Sequence, residues 1–523
     1  MEEQGVLIEL ERSGDGTCAA EQAPRRKAES APKIKRIDRD QSAFVSLIVE
    51  NLVGADDKVR AIWELTGRMD LSRLYEPIVS RENEAGQAAE DPRLLVAIRV
   101  WSYSEGISSS RQVEHLIGQE PALLWLCGLR TISHATLANF RKDHKAELDD
   151  LFTQLLAMLE TAGAIRLERV MHDGTKIRAQ AGADTFRREG TLRANLDKAR
   201  AAVEQMADGD TAPAETKRQH SARRRAAREL QERLEAALRE LAQVRAGKKD
   251  EEEKENARVS GSEPEARMMK HGDQAIRPSY NAQISTDAES KAIVAAQLTQ
   301  DANDMESLEA AMDLVQQNMG REPEQVVADG GYTTRDNIVA MKQRGIDFIG
   351  SLGDPAARQA AAVKARGIDP RFAPQFFILQ PETNTLCCPA GKQLRYVRRN
   401  RVRGDLYHRY QAAGSDCSAC AYRSQCCPKK PEQGRAVALR VEEAADIAEF
   451  RRRMETEQAR GTYRQRAEVA EFPNAWLKEK IGLRKFSLRG MVKAGIELTW
   501  ACLTYNVMLW IRVCWGGETA ARA

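Results

Sequence analysis

The stretch RVMHDGTKIRAQAG, residues 169–182, decides the fold. It opens as a β-type run and meets Asp173, followed at once by Gly174. Strand-like runs recur downstream. SYNAQISTD (279–287) and KAIVAAQLTQ (291–300) read as a hairpin across DAES, EQVVADGG (324–331) as a short strand running into glycines, and IDFIGSLG (346–353) as another strand. Between them, SLEAAMDLVQQNMG (307–320) and TRDNIVAMKQRG (334–345) have helical spacing. The order strand, hairpin, helix, strand, helix, strand predicts an α/β fold whose mixed sheet contains parallel strands.

Asp173 is expected to close the first strand and Asp329 a later one. Sites gather at the carboxyl ends of parallel strands, and a following glycine lets the backbone turn sharply there. Either Asp-Gly alone reads as an ordinary turn. Together they bring two oxygen donors to neighbouring strand ends, where a shared hard cation would relieve their repulsion. His172 points to the opposite face of the strand and reads as structural.

A third acid is sought in YRQRAEVAEFPNAWLKEKIGLRKFSLRG, residues 463–490. Glu468 and Glu471 are the candidates. Lys478 follows Glu471 by seven residues, on the same helical face. Pro473 predicts a helix that starts or kinks nearby, with Glu471 at its entrance. An ordinary charged surface helix is the alternative. Lys478, Lys480, Arg484, Lys485, Arg489 and Lys493 crowd this region, as a polyanionic substrate would require.

Upstream, DPRLLVAIRVWSYSEG places Asp91 as an N-cap and Pro92 in the first turn. SSSRQVEHLIGQEPALLWLCG and ISHATLANFRKDHKAELDDLFTQLLAMLETAG repeat the helical pattern, with Ser110 and Ser133 as caps and a stop near Gly163. Three such helices fit a helix-turn-helix reader with Ser133, His134 and Thr136 at base edges, or a plain bundle. Residues 187–258, with Leu230, Leu234, Leu238 and Leu241 at spacings of four, four and three, read as a helical hairpin or short coiled coil serving as a spacer or self-association arm. LTWACLTYNVMLWI (498–511) is too short to span a bilayer and reads as a buried helix.

Composition sets limits on function. The 523 residues are 42% hydrophobic and 30% charged, with net charge +3, so any surface for nucleic acid must be local. MEEQGVLIEL lacks the apolar core of a secretory signal. Six of the ten cysteines lie within residues 387–427, which suggests metal binding in a reducing, cytoplasmic compartment. Cys417 and Cys420 form a CxxC half-site that Cys388 and Cys426 would complete, with Cys427 as an alternative and unmetallated buried thiols as another. RYVRRNRVRGDLYHRY, between the half-sites, is either a phosphate-binding ribbon or a solvated basic hairpin.

In order along residues 80–512, HDGTKIRAQAG, PSYNAQISTD, ADGGYTTRDN and YRQRAEVAEFPNAWLKEKIGLRKFSLRG make the chain resemble the DDE transposases of bacterial insertion sequences. The upstream helices are similar to the N-terminal domain common in such proteins. The resemblance implies a ribonuclease-H-like catalytic fold holding two magnesium ions, with manganese able to replace them. Asp173, Asp329 and Glu471 would be the catalytic acids and metal ligands, and Tyr463, Arg466 and Lys478 would bind substrate. In the family's signature three residues separate arginine from glutamate; here four do, and strict counting lands on Ala470, while Glu471 keeps the spacing to Lys478. Cys388, Cys417, Cys420 and Cys426 resemble a zinc-ribbon-like insertion.

The implied activity is cleavage and transfer of double-stranded DNA, at terminal repeats and target, by a homo-oligomer with no membrane association. The rivals are a decayed or domesticated relative that binds without cutting, and a zinc-stabilised scaffold. The implied organisation is a flexible tail (1–45), a helical DNA-binding domain (46–164), a catalytic domain (165–513) with a charged helical insertion (187–270) and a Cys-rich basic one (355–440), and a second tail (514–523).

Overall fold

Seven helices come first, and their starts follow from sequence. In the computed structural model, which describes residues 46–81, 87–207 and 217–515, they are α1 (Lys58–Arg68), α2 (Ser72–Tyr75), α3 (Pro92–Ser104), α4 (Ser110–Ile117), α5 (Pro121–Cys127), α6 (His134–Asp143) and α7 (Lys145–Thr161). The tail expected over 1–45 lies outside the described residues. Asp91 caps α3 through the Arg93 N–H (2.9 Å), with Pro92 in the first turn. Ser109, rather than Ser110, caps α4, and Ser133 caps α6. The three expected helices from residue 91 to 163 are five, because the chain turns at Gly118 and again at His144.

The sheet begins with β1 (Arg169–Arg178). An insertion then carries β2 (Phe186–Arg187), α8 (Glu189–Ala207), α9 (Lys217–Ala246), α10 (Glu251–Glu255) and β3 (Val259–Ser260). The charged helices form a hairpin on their own small core of Leu192, Leu196, Leu234, Ala237 and Leu241, while Leu230 stays exposed. The β2·β3 ladder closes its base. The expected boundary at 270 is too late, because β4 (Arg267–Lys270) already belongs to the main sheet. There follow β5 (Ile276–Asp287), β6 (Ile293–Thr299), α11 (Leu308–Met319), β7 (Gln325–Ala328), α12 (Arg335–Gln343) and β8 (Asp347–Ile349). β5 pairs antiparallel with β1 on one side and with β4 and β6 on the other. β1, β7 and β8 run parallel. This is the mixed sheet the element order predicts.

A second sheet occupies the Cys-rich region. After α13 (Pro355–Lys364) come β9 (Ile378–Gln380), β10 (Thr385–Cys387), β11 (Gln393–Val402), β12 (Asp405–Ala412), α14 (Gly414–Ser418), α15 (Arg423–Cys426) and β13 (Ala436–Glu442). Its five strands are antiparallel in the order β13-β12-β11-β10-β9.

Three helices complete the chain: α16 (Ala445–Met454), α17 (Glu457–Glu479) and α18 (Met491–Trp510). α18 is the buried apolar helix that the sequence announces. It packs against α3, α6 and α7 on one side and β6 on the other. One core therefore runs from Val53 through the N-terminal helices into the sheet, and from Ile48 onward the chain is a single compact unit. Trp515, also buried, donates to Glu64 Oε2 (3.0 Å), so packing extends past the tail boundary expected at 514. No described helix is long and apolar enough to cross a membrane.

Candidate active site

β1 and β7 are in parallel register up to the pair His172 and Ala328. Asp173 and Asp329 are the next residue on each strand, so they meet where parallel pairing stops. Asp173 does not close its strand as expected. β1 runs five residues further, because its other neighbour, β5, continues pairing to Arg178. The first aspartate is thus held by an intact strand and the second by a turn, in which Gly331 N–H donates to Asp329 Oδ1 (2.7 Å).

α17 lies over the Asp173 face. Met171, Val327 and Ile349 of the strands pack against Ala459, Val469 and Ala470 of the helix. One stripe of α17, at intervals of four, then supplies the polar contacts. Arg466 Nη1 lies 3.8 Å from Asp173 Oδ1, Asn474 Nδ2 donates to Asp173 Oδ2 (3.1 Å), and Lys478 Nζ donates to Thr175 Oγ1. Ala470, where strict signature counting lands, is a buried packing residue of the same stripe. Pro473 is inside the helix, so Glu471 is not at a helix entrance. Tyr463 packs at this interface with the Arg466 guanidinium 5.8 Å from its ring centroid.

Burial pushes the Asp173 carboxyl up to about 6, against the pull of Arg466 and with Asp329 and Asp304 adding to the rise. Burial also pulls the Lys478 ammonium down, against Asp173. The opposite face of β1 is a closed polar network. His172, fully buried, lies between Ser285 Oγ (2.9 Å) and Gln283 Oε1 (3.0 Å), and burial holds it neutral with its value down to about 4. Tyr332 donates to Gln283 Oε1 (2.6 Å), while Asn281 and Gln283 donate to Asp304 Oδ1 (2.7 and 2.8 Å). Gly174 permits this crowding, since a Cβ there would lie 2.5 Å from Asp304 Oδ1 and 2.8 Å from the Tyr332 hydroxyl.

The two glutamates differ. Glu468 pairs with Lys291 (3.2 Å) and lines a cleft with Arg169, Asp287 and Gln325, at the amino ends of β1 and β7. Glu471 is exposed and has no ion pair or hydrogen bond among the described residues. Among those residues no three His, Cys, Asp or Glu side chains form a metal-holding group, so the expected triad is not assembled. Asn474 and Asp304 are the site residues that the sequence reading missed. Lys480, Arg484, Lys485, Arg489 and Lys493 are exposed near the end of α17. The loop carrying Arg489 is pegged by buried Glu497, which accepts from Ser487 and Leu488 N–H groups (2.9 and 3.0 Å).

Elsewhere, the expected base-reading residues are engaged internally. Ser133 Oγ accepts from Thr136 N–H (3.1 Å), and His134 Nδ1 lies 2.7 Å from Glu114 Oε2. Cys387, Cys388, Cys417, Cys420, Cys426 and Cys427 form no disulfide. Cys388, Cys417, Cys420, Cys426 and Cys427 line one small cavity, where Cys388 Sγ and Cys417 Sγ accept the N–H groups of Lys392 (3.3 Å) and Arg435 (3.2 Å). Burial pushes the Cys426 thiol up to about 11.

A sheet in the order β6-β5-β1-β7-β8, antiparallel then parallel, is the ribonuclease-H-like arrangement. Two family models match the chain: a transposase DDE domain over residues 387–509 and a transposase domain (DUF772) over residues 48–143. These two matches support a DDE transposase of an insertion sequence. The DDE match takes in the last three strands of the cysteine-rich sheet and the Tyr463–Lys478 stretch, and begins downstream of both aspartates. No match was found among curated proteins.

Proposed function

We propose that this chain cleaves and joins DNA strands at the ends of its own insertion sequence, using Asp173, Asp329 and Glu471. The carrying observation is the meeting of Asp173 and Asp329 at the end of parallel pairing, beneath Arg466 and Lys478. The donor set suits a hard cation: oxygens only, on a carboxyl that burial raises first and the neighbouring Asp329 raises further. Magnesium, or manganese in its place, would supply positive charge to the attacking and leaving oxygens of a phosphodiester. Asp173 and Asp329 would hold it, with Glu471, seven residues before Lys478 on α17, as third acid. Arg466 would grip phosphate oxygens with two N–H groups and Lys478 as a point charge. Magnesium-dependent nicking of labelled duplex element ends is the direct test. One observation favours the rival that binds without cutting: no three described acids converge. Absence of nicking with retained DNA binding would establish it.

DNA would be held partly by the second sheet. Arg398 and Arg409 are direct cross-strand partners on β11 and β12, and neither has an acidic partner among the described residues. Like charges directly opposite in a ladder are unfavourable, and a phosphate between them would remove the conflict. Replacing both by alanine should lower the log–log salt dependence of duplex binding by about 2, roughly one per lost phosphate contact. Fluorescence anisotropy at several salt concentrations checks this.

The cysteine cavity would hold zinc through Cys388, Cys417, Cys420 and Cys426, since soft thiolates in a CxxC-based set suit that ion, although these thiols do not close into a metal-holding group among the described residues. Purified protein should then carry about one equivalent of zinc, and Cys417→Ser should lose it. Elemental analysis decides the matter.

A further inference from the structure

Asn474 is the residue that α17 places against Asp173, and the mechanism above leaves half of its side chain unused. Its Nδ2 donates to Asp173 Oδ2 at 3.1 Å. Its Oδ1 is buried and meets no donor among the described residues. The residue is only 7% exposed, so bulk water does not satisfy that oxygen. A buried amide carbonyl without a partner is costly, and such atoms are uncommon away from functional sites. One end of the amide is thus tied to the first aspartate, and the other is a buried oxygen on the same side chain with nothing to accept from among the described residues.

Neither Glu471 nor Glu468 has this placement. Glu471 is exposed, and Glu468 is turned away onto Lys291. The stripe formed by Arg466, Ala470, Asn474 and Lys478 has one side-chain oxygen, and it belongs to Asn474.

We propose that the side-chain carbonyl oxygen of Asn474 is a further oxygen donor for the divalent cation held by Asp173 and Asp329. Its N–H fixes the orientation of the Asp173 carboxylate, as an amide can when it is donor and acceptor at once. Neutral amide carbonyls serve hard cations alongside carboxylates. Glu471, one helical turn earlier, can then act as an outer acid without itself being buried. This proposal rests on the cation reading of the two aspartates, and its test separates the two.

The test is manganese binding to the full chain, followed by calorimetry or electron paramagnetic resonance in the absence of DNA. Asn474→Leu, close in size and without polar atoms, should weaken manganese binding by about tenfold to a hundredfold. Its thermal midpoint should stay close to that of the parent, because losing the N–H bond to Asp173 is offset by removing an unpaired buried oxygen. Asn474→Asp keeps an oxygen at the position and should bind manganese at least as well as the parent. A purely structural Asn474 would give the reverse: lower stability and unchanged manganese affinity in Asn474→Leu. Should Asn474→Leu fail to fold, Asn474→Ala takes its place with the same expected loss. If Asp173→Ala and Asp329→Ala lose manganese while the apolar Asn474 variants bind like the parent, this inference alone fails. If all variants bind like the parent, the cation reading of the aspartates fails and takes the inference with it.

Discussion

Asp173→Ala and Asp329→Ala should each lower magnesium-dependent nicking of element ends by about 10⁴–10⁶-fold, the scale on which removing one member of a catalytic set acts. Duplex binding should change little, because the basic face of the second sheet and the exposed lysines and arginines after α17 are untouched. The effect follows from position. Asp173 is held in a continuous strand, covered by α17 and raised by burial and by its acidic neighbours. Losing either carboxylate leaves one charge where two are needed to hold a divalent ion. In the same assay Glu471→Ala should be as damaging, and Glu468→Ala nearly silent. Glu468 makes one exposed pair with Lys291, the kind worth about 0–1 kcal/mol. Parent-level nicking by Asp329→Ala would remove the assignment of both aspartates. Loss with Glu468→Ala instead of Glu471→Ala would move the third acid to the other end of the strands.

Trp500→Ala should cost about 3–5 kcal/mol of folding stability, the usual range for emptying a large aromatic site. Trp500 is fully buried on α18, packs against Phe140 with ring centroids 6.2 Å apart, and donates its indole N–H to Arg141 carbonyl oxygen (3.2 Å). It joins the N-terminal helices to the helix that backs the sheet. Denaturant melts followed separately in helix and sheet signals should shift together, as one cooperative unit. Leu230→Ala, on the exposed side of α9, should shift neither by more than about 0.5 kcal/mol. Separate transitions for the two regions would contradict a continuous core.

Local chemistry made much of this fold legible. Asp91 and Pro92 mark the start of α3, the apolar run at 498–511 marks the buried helix, and two β-type runs joined across DAES mark the β5–β6 hairpin. The site was legible only in part. Read alone, Asp173 ends a strand, but strand ends are set by partners, and β5 keeps pairing after β7 has stopped. Pro473 argues for a break on propensity, yet tertiary packing holds it inside α17, burying it and turning Asn474 toward Asp173. Asp304 sits in a polar loop with no motif around it. Its place behind Gly174 depends on amides from β5 that are distant in sequence.

The α8–α9 hairpin leaves and rejoins the chain at two strands, β2 and β3, that lie side by side. Its apolar residues are spent on each other, and an Arg267–Glu240 pair ties it to the main sheet. Such a module can lengthen, shorten or be exchanged over evolutionary time while the acidic centre keeps its shape. It is also a natural port for an engineer, who can splice a foreign peptide between residues 188 and 258 and leave the main sheet alone.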